Sequence, residues 1–220
     1  MSMSKRVMSK KDLELLEWIN EQYAVREDQL ARLLGRSRAS ARRWASAMRD
    51  AGLCRREVLF RGEPACVWLT GPGAKLTEHR FRPWRGHLGK LDHIGAVGEL
   101  RIHLSVQAPA ASWVSERELL ANQAAALFGR NGHKRSDAPH IPDAELILPS
   151  GERHALEVER TRKSQERLRA IIGELARRYD DVVYFCVDAS VEGAVSAAIP
   201  KSAARKVHVR SLDEVLARVR

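Results

Sequence analysis

The chain has 220 residues, 44% of them hydrophobic, with 38 Lys and Arg against 28 Asp and Glu. That supply of apolar residues suits one large core or two modest ones. No run approaches the roughly 18 continuous apolar residues that a membrane span needs, so no membrane partner is expected. The segment Met1 to Lys11 is polar and basic, without the short apolar stretch and small-residue cleavage site of a secretory signal, so a cytoplasmic protein is expected.

Cys54, Cys66 and Cys186 lie far apart and form no CxxC or Cys/His spacing. That excludes a zinc or disulfide framework and leaves them as small buried residues. The charge is uneven: residues 1–90 hold 19 Lys and Arg against 10 Asp and Glu, leaving 19 against 18 for residues 91–220. A polyanion-binding surface is therefore sought in the first part.

Asp12 is expected to cap a first helix running to about Tyr23, with Leu13, Leu16 and Ile19 on one face and Glu14, Glu17 and Glu21 on the other. A second helix fits Glu27 to Leu34, with Leu30, Leu33 and Leu34 as its apolar stripe and Gly35 at its end. Ser37 supplies the N-cap of a third helix reaching about Ala51. Its Ala41, Trp44, Ala45 and Met48 face inward, and Gly52 stops it. Two short strand-like runs follow, Leu53 to Phe60 and Ala65 to Leu69, joined by Arg61-Gly62-Glu63-Pro64 as a hairpin turn.

Two helices joined by a short Gly-containing turn, the second rich in arginine, is the layout by which a recognition helix enters a major groove. The candidate DNA contacts on the turn and helix are Arg36, Ser37, Arg38, Ser40, Arg42, Arg43, Ser46 and Arg49. On the hairpin they are Arg55, Arg56 and Arg61. Arginine suits both jobs, bidentate to guanine or paired with phosphate. With the Trp68-Leu69-Thr70 to Gly73 end of its hairpin leading into another helix, the segment resembles the winged helix-turn-helix domains of bacterial regulators and replication proteins.

Residues 80–91, with Arg80, Arg82, Pro83, Trp84, Arg85, Gly86 and Gly89, read as a basic linker between a domain 1–79 and a second domain 92–220. The second begins with a helix over Asp92 to Val106 and a short strand, Ser112 to Glu116. Arg130 to His140 reads as a polar loop. The stretch Ile141 to Leu148, Pro149-Ser150-Gly151 and Glu152 to Glu159 reads as a hairpin in which Leu148 opposes Glu152 and Asp143 opposes Glu157, with Gly151 left-handed. Asp143, Glu145, Ile147, Glu157 and Glu159 then share an acidic side, and Ala144, Leu146, Leu148, Leu156 and Val158 form the core side. Gathered carboxylates are oxygen ligands of the kind Mg²⁺ prefers, with Asp143 and Glu157 as the metal-ligand candidates. A helix from Arg167 to Tyr179, a buried strand from Val182 to Val187, a helix near Val191 to Ala198, a strand Val207 to Val209 and a helix from Asp213 complete the chain.

This order resembles the PD-(D/E)XK restriction-endonuclease-like core, with Pro142-Asp143 as its PD and Glu157-Val158-Glu159 as its (D/E)XK, except that Glu159 occupies the lysine position. A glutamate cannot stabilise developing phosphate charge, and Lys163, four residues on, is the candidate substitute. Glu99 and Glu116 are further candidate acids. With its winged helix, the whole resembles the replication-relaxation family of actinobacterial plasmids and prophages. That resemblance implies replication or gene control on a mobile element.

The expected fold class is α+β, a winged helix-turn-helix followed by an α/β restriction-endonuclease-like domain with a mixed central sheet. The expected function is double-stranded DNA binding, which requires no cofactor, with a catalytically silent second domain. The alternative is a Mg²⁺-dependent endonuclease using Asp143, Glu157, Glu159 and Lys163. A homodimer through the second domain and binding of replication or conjugation proteins stay open as partners, since no heptad seam appears.

Overall fold

The computed structural model describes residues 7–79, 81–128 and 139–217. It is α+β and divides into two compact units, residues 1–98 and 99–220. Residues 130–138 of the expected polar loop lie outside the described residues. Among the described residues no helix is long and apolar enough to cross a membrane.

The first unit holds α1 (Lys10–Glu21), β1 (Val25–Arg26), α2 (Glu27–Leu34), α3 (Arg38–Asp50), β2 (Cys54–Glu57), β3 (Cys66–Leu69) and α4 (Gly71–Ala74). Its strands form an antiparallel sheet of order β1-β3-β2, with Arg55 opposite Trp68 and Val25 opposite Val67. Helix α1 starts earlier than the sequence suggests. Ser9 is the N-cap, its hydroxyl accepting from the Asp12 N–H at 3.1 Å while the Asp12 carboxylate accepts from the Ser9 N–H at 3.0 Å. Asp12 is thus the fourth residue of a capping box rather than the cap, and the buried stripe is Leu15, Leu16 and Ile19, with Leu13 39% exposed. The other Asp12 oxygen accepts from Trp44 Nε1 at 2.6 Å, which ties α3 to the start of α1.

Helices α2 and α3 follow the sequence closely. Gly35 ends α2 at φ 62°, a left-handed conformation that costs a residue with a Cβ more than it costs glycine. Ser37 caps α3 by accepting from the Ser40 N–H at 3.3 Å. Ala41, Trp44, Ala45 and Met48 of α3 are buried with Leu16, Ile19, Leu30 and Val67 in one core, and each large apolar side chain sequestered there contributes about 1.5–3 kcal/mol.

Residues 80–91 behave differently from a spacer. Trp84 is 9% exposed and meets Trp68 edge-to-face, with ring centroids 5.5 Å apart, inside a cluster that also contains Ala24, Cys66, Leu91 and Ile94. An indole of this size gains too much by burial to remain on a solvated connector. Helix α5 (Leu91–Gln107) runs across the division between the units.

The second unit continues with β4 (Ser112–Ser115), α6 (Glu116–Phe128), β5 (Ala144–Ile147), β6 (Arg153–Glu159), α7 (Gln165–Arg178), β7 (Asp181–Cys186), α8 (Ala189–Ala198), β8 (Val207–Ser211) and α9 (Leu212–Ala217). Glu116 opens a helix rather than ending a strand. The sheet is mixed, of order β4-β5-β6-β7-β8, antiparallel as far as β6 and parallel from β6 to β8. Parallel neighbours need crossovers, which α7 and α8 supply. The β5–β6 hairpin has the expected register: Ala144 opposes Leu156, Ile147 opposes Arg153, and the Leu148 N–H donates to Glu152 O at 2.9 Å. Gly151 closes the turn at φ 89°.

The acidic side of that hairpin is not a solvated side. Glu145, Glu157 and Glu159 are 3%, 5% and 4% exposed, and Ala155, which opposes Glu145 across the hairpin, packs with Leu168, Ile172, Leu175 and Tyr184. Helices α7 and α8 pack together over the side of the sheet that carries Ala155, Tyr184 and Cys186, and Glu157 and Glu159 alternate with Ala155 on that same side of β6. The three buried cysteines accord with the sequence reading.

Candidate functional site

Two places gather the residues singled out above. In the first unit, α3 presents Arg38, Arg42 and Arg43 to a groove whose other wall is the loop between β2 and β3, at Gly62, Glu63 and Pro64. Arg36, Ser37, Arg38, Arg42, Arg43 and Arg49 are exposed, whereas Ser40 and Ser46 are half-buried. Arg38, Arg42, Ser46 and Arg49 recur at spacings of three and four, so one helix face carries them. Ser40 accepts from Arg43 Nη2 at 3.0 Å, and Arg49 donates to its neighbour Asp50 at 2.9 Å. On the hairpin, Arg55 and Arg61 are exposed.

Arg56 is placed differently. Its Nε lies 2.6 Å from Oε1 of Glu27, and the two side chains are 15% and 8% exposed. The same carboxylate has Arg42 Nε at 3.8 Å, with Arg42 69% exposed. Arg56 is therefore a strut joining the hairpin to the start of α2, because a guanidinium taken this far from water needs its carboxylate. Its expected role in contacting DNA gives way to that one. The groove also contains acids that the sequence reading passed over: Glu27, Asp28, which pairs with Arg26 at 3.0 Å, and the exposed Glu63. Only the folded arrangement sets them beside the arginines.

In the second unit, Asp143, Glu157, Glu159 and Lys163 come together with two residues the sequence reading did not select, His140 and Tyr184. Asp143 Oδ2 accepts from the Val158 N–H at 2.7 Å. His140 Nε2 lies 2.8 Å from Glu157 Oε1, and Lys163 Nζ lies 2.5 Å from Glu159 Oε2. His140 is itself held at both ends of its peptide: its N–H donates to Glu174 at 2.8 Å, and its carbonyl accepts from Arg178 at 2.6 Å. Tyr184, opposite Glu157 in the β6–β7 register, is 1% exposed, and among the described residues its hydroxyl has no hydrogen-bond partner. A histidine two residues before Pro142 and an aromatic on the next strand were the available signals, but neither has meaning until the register is known.

Burial, aided by the charge of Asp143, pushes the Glu157 carboxyl up to about 7, and the hydrogen bond from His140 offsets this only in part. For His140, burial works against the charged ring, but the hydrogen bond and charge of Glu157 outweigh it and raise its pKa. Burial, with Glu157, Glu159 and Asp143 nearby, also raises the Tyr184 phenol. Glu145 sits apart from this set, bidentate to Arg153 at 2.7 Å for each oxygen, with Arg153 lying over the Tyr179 ring.

The acidic set does not fit a divalent cation well. Asp143 has an oxygen committed to backbone, Glu157 to His140 and Glu159 to Lys163, and among the described residues no trio from this set places three ligand atoms within 4.8 Å. Neither Glu99 nor Glu116 completes one. Glu17, Glu21 and His79 in the first unit do meet that distance, but the Glu17 oxygens accept from the backbone N–H groups of Glu78 and His79 at 2.6 and 3.3 Å. Those bonds account for the cluster as a tether for the chain after α4. Compared with known proteins, the chain matches no family profile, no curated protein and no solved structure.

Proposed function

We propose that residues 1–98 form a winged helix-turn-helix that binds double-stranded DNA, α3 entering the major groove with the β2–β3 hairpin as the wing beside it. The observation that carries this reading is the groove in which Arg38, Arg42 and Arg43 face the tip of the hairpin. The second unit is read as a nuclease-like scaffold without catalysis, its carboxylates held by His140, Lys163 and backbone. The role in replication or transcription control on a mobile element rests on the resemblance to the replication-relaxation family.

If four arginines each neutralise one phosphate, the slope of log K against log salt is about −3.6, and affinity falls roughly a hundredfold between 50 and 200 mM salt. Fluorescence anisotropy with duplex DNA across that range tests it, using Arg42→Ala and Arg43→Ala. Each variant is expected to lose about 1–3 kcal/mol if it reads a base. Unchanged affinity in both would overturn the assignment of α3.

The second reading, a Mg²⁺-dependent endonuclease acting on DNA brought by the first unit, is favoured by one arrangement: Asp143, Glu157, Glu159 and Lys163 are gathered in one place with His140. Supercoiled DNA incubated with Mg²⁺ or Mn²⁺ separates the two readings. Cutting that an Asp143→Ala/Glu157→Ala variant loses while it still binds would make the chain a nuclease. Binding without cutting supports the scaffold reading.

A further inference from the structure

We propose that the β2–β3 loop is an apolar wedge, with Val58 and Phe60 entering the minor groove beside the segment that α3 reads and partly unstacking a flexible base step there. The inference rests on the DNA-binding reading of residues 1–98, and it adds the kind of duplex that this protein selects.

The chain leaves β2 at Glu57, and the next three residues alternate. Val58 is 59% exposed, Leu59 packs on the cluster containing Trp68 and Trp84, and Phe60 is 46% exposed. Anchoring Leu59 thus turns both neighbours outward. Eight large hydrophobic residues are exposed among the described residues. Phe60 is the only aromatic in that group, and Val58 and Phe60 are the only two of them that lie within two residues of each other. The Glu63 N–H donates to Phe60 O at 3.2 Å, so Phe60 begins the tight turn whose far side, Gly62 to Pro64, walls the arginine groove.

Charge alone does not hold this loop to a polyanion. The exposed ions of the hairpin are Arg55, Glu57, Arg61 and Glu63, two of each sign, and Arg56 is committed to Glu27. The positive face belongs to α3 across the groove. A duplex bound by α3 therefore meets a neutral, apolar hairpin tip, and the favourable contact open to that tip is with the faces of bases. Side chains such as phenylalanine insert at steps that part easily, and the resulting kink lets more protein surface reach the backbone. Beside the phosphate contacts expected of the exposed Arg55 and Arg61, the wedge adds selection for a deformable step.

The test uses the full-length chain and short duplexes that carry one TA step at successive positions, with 2-aminopurine as its adenine. Binding is read by anisotropy and unstacking by fluorescence in the same samples. The wild type is expected to brighten 2-aminopurine at one position. Phe60→Ala is expected to abolish that rise, to lose about tenfold in affinity for that duplex and to bind a stiff A-tract duplex as the wild type does, whereas Phe60→Leu keeps most of the signal. Wild-type binding with no brightening at any position, or an unchanged signal in Phe60→Ala, would overturn the wedge and leave the DNA reading intact. Failure of the wild type to bind any duplex would overturn both. Self-association without DNA that Phe60→Ala removes would assign the patch to a second copy of the chain instead.

Discussion

Glu27 holds the first unit together at a point where the sequence suggested only the start of a helix. Its carboxylate, 8% exposed, lies 2.6 Å from Arg56 on β2 and 3.8 Å from Arg42 on α3, so one buried acid links α2, the hairpin and the arginine-bearing helix. Glu27→Ala removes the charge and strands the Arg56 guanidinium. Breaking a buried pair from one side costs roughly 3–5 kcal/mol, and because Arg56 keeps 15% exposure and can turn toward water, about 3 kcal/mol is expected. That is a large share of a typical domain stability of roughly 5–15 kcal/mol. Urea unfolding followed by tryptophan fluorescence reports on this unit, since Trp18, Trp44, Trp68 and Trp84 lie within residues 1–98. A Glu27→Gln/Arg56→Met double variant is expected to recover to within about 1 kcal/mol of the wild type, because no unpaired charge is left behind. If Arg56→Met left stability unchanged while weakening DNA binding tenfold, the strut reasoning would be refuted and Arg56 would return to the set of DNA contacts.

The junction of α1 and α3 gives a second expectation: Asp12→Ala removes the carboxylate half of the capping box, which accepts from the Ser9 N–H, and the acceptor of Trp44 Nε1 together, and should cost about 2 kcal/mol by urea unfolding. A loss below about 0.5 kcal/mol would mean that water replaces both bonds. Glu63→Ala should strengthen DNA binding about threefold at low salt by removing a negative charge from the groove wall, and weaker binding would contradict its placement. The second unit should respond to pH. Glu157 in the folded chain titrates at about 7, above its ordinary value of 4.5, and the pKa of His140 is raised as well. For raised groups the stabilisation is complete below the unfolded pKa and is lost as pH rises through the folded one, so the Glu157 contribution should fall between about pH 4.5 and 7, and that of His140 from 6.5 upward. Asp143 and Lys163 share the pocket, and the fall is bounded at about 3 kcal/mol. Glu157→Gln should flatten unfolding midpoints across that window, and an unaltered slope would assign the dependence to other groups.

Much of the local structure could be read directly from residue order, for reasons confined to a few neighbouring residues. The extent of α2, the Ser37 cap, the Gly35 turn, the inward face of α3 and the register of the β5–β6 hairpin follow from side-chain period, capping chemistry and the geometry of a three-residue turn. The start of α1 was displaced because Ser9 and Asp12 can both cap, and the choice depends on Trp44, 32 residues away, claiming an Asp12 oxygen. Residues 80–91 looked like a connector because their composition is polar and irregular, while the burial of Trp84 depends on Trp68 lying across from it.

The candidate sites divide in the same way. Sequence by itself determined that arginines would line the outer face of α3 and that acids would share one side of β5 and β6, because helix and strand periods settle which residues are neighbours. Only the tertiary structure decided which charges act outward. Glu27 draws Arg56 inward while leaving Arg38 and Arg43 exposed, and the crossover helices over β6 convert an apparent acidic surface into a buried set bound by His140 and Lys163. Pairing and burial depend on distances between residues far apart in the chain, and no local period encodes those distances.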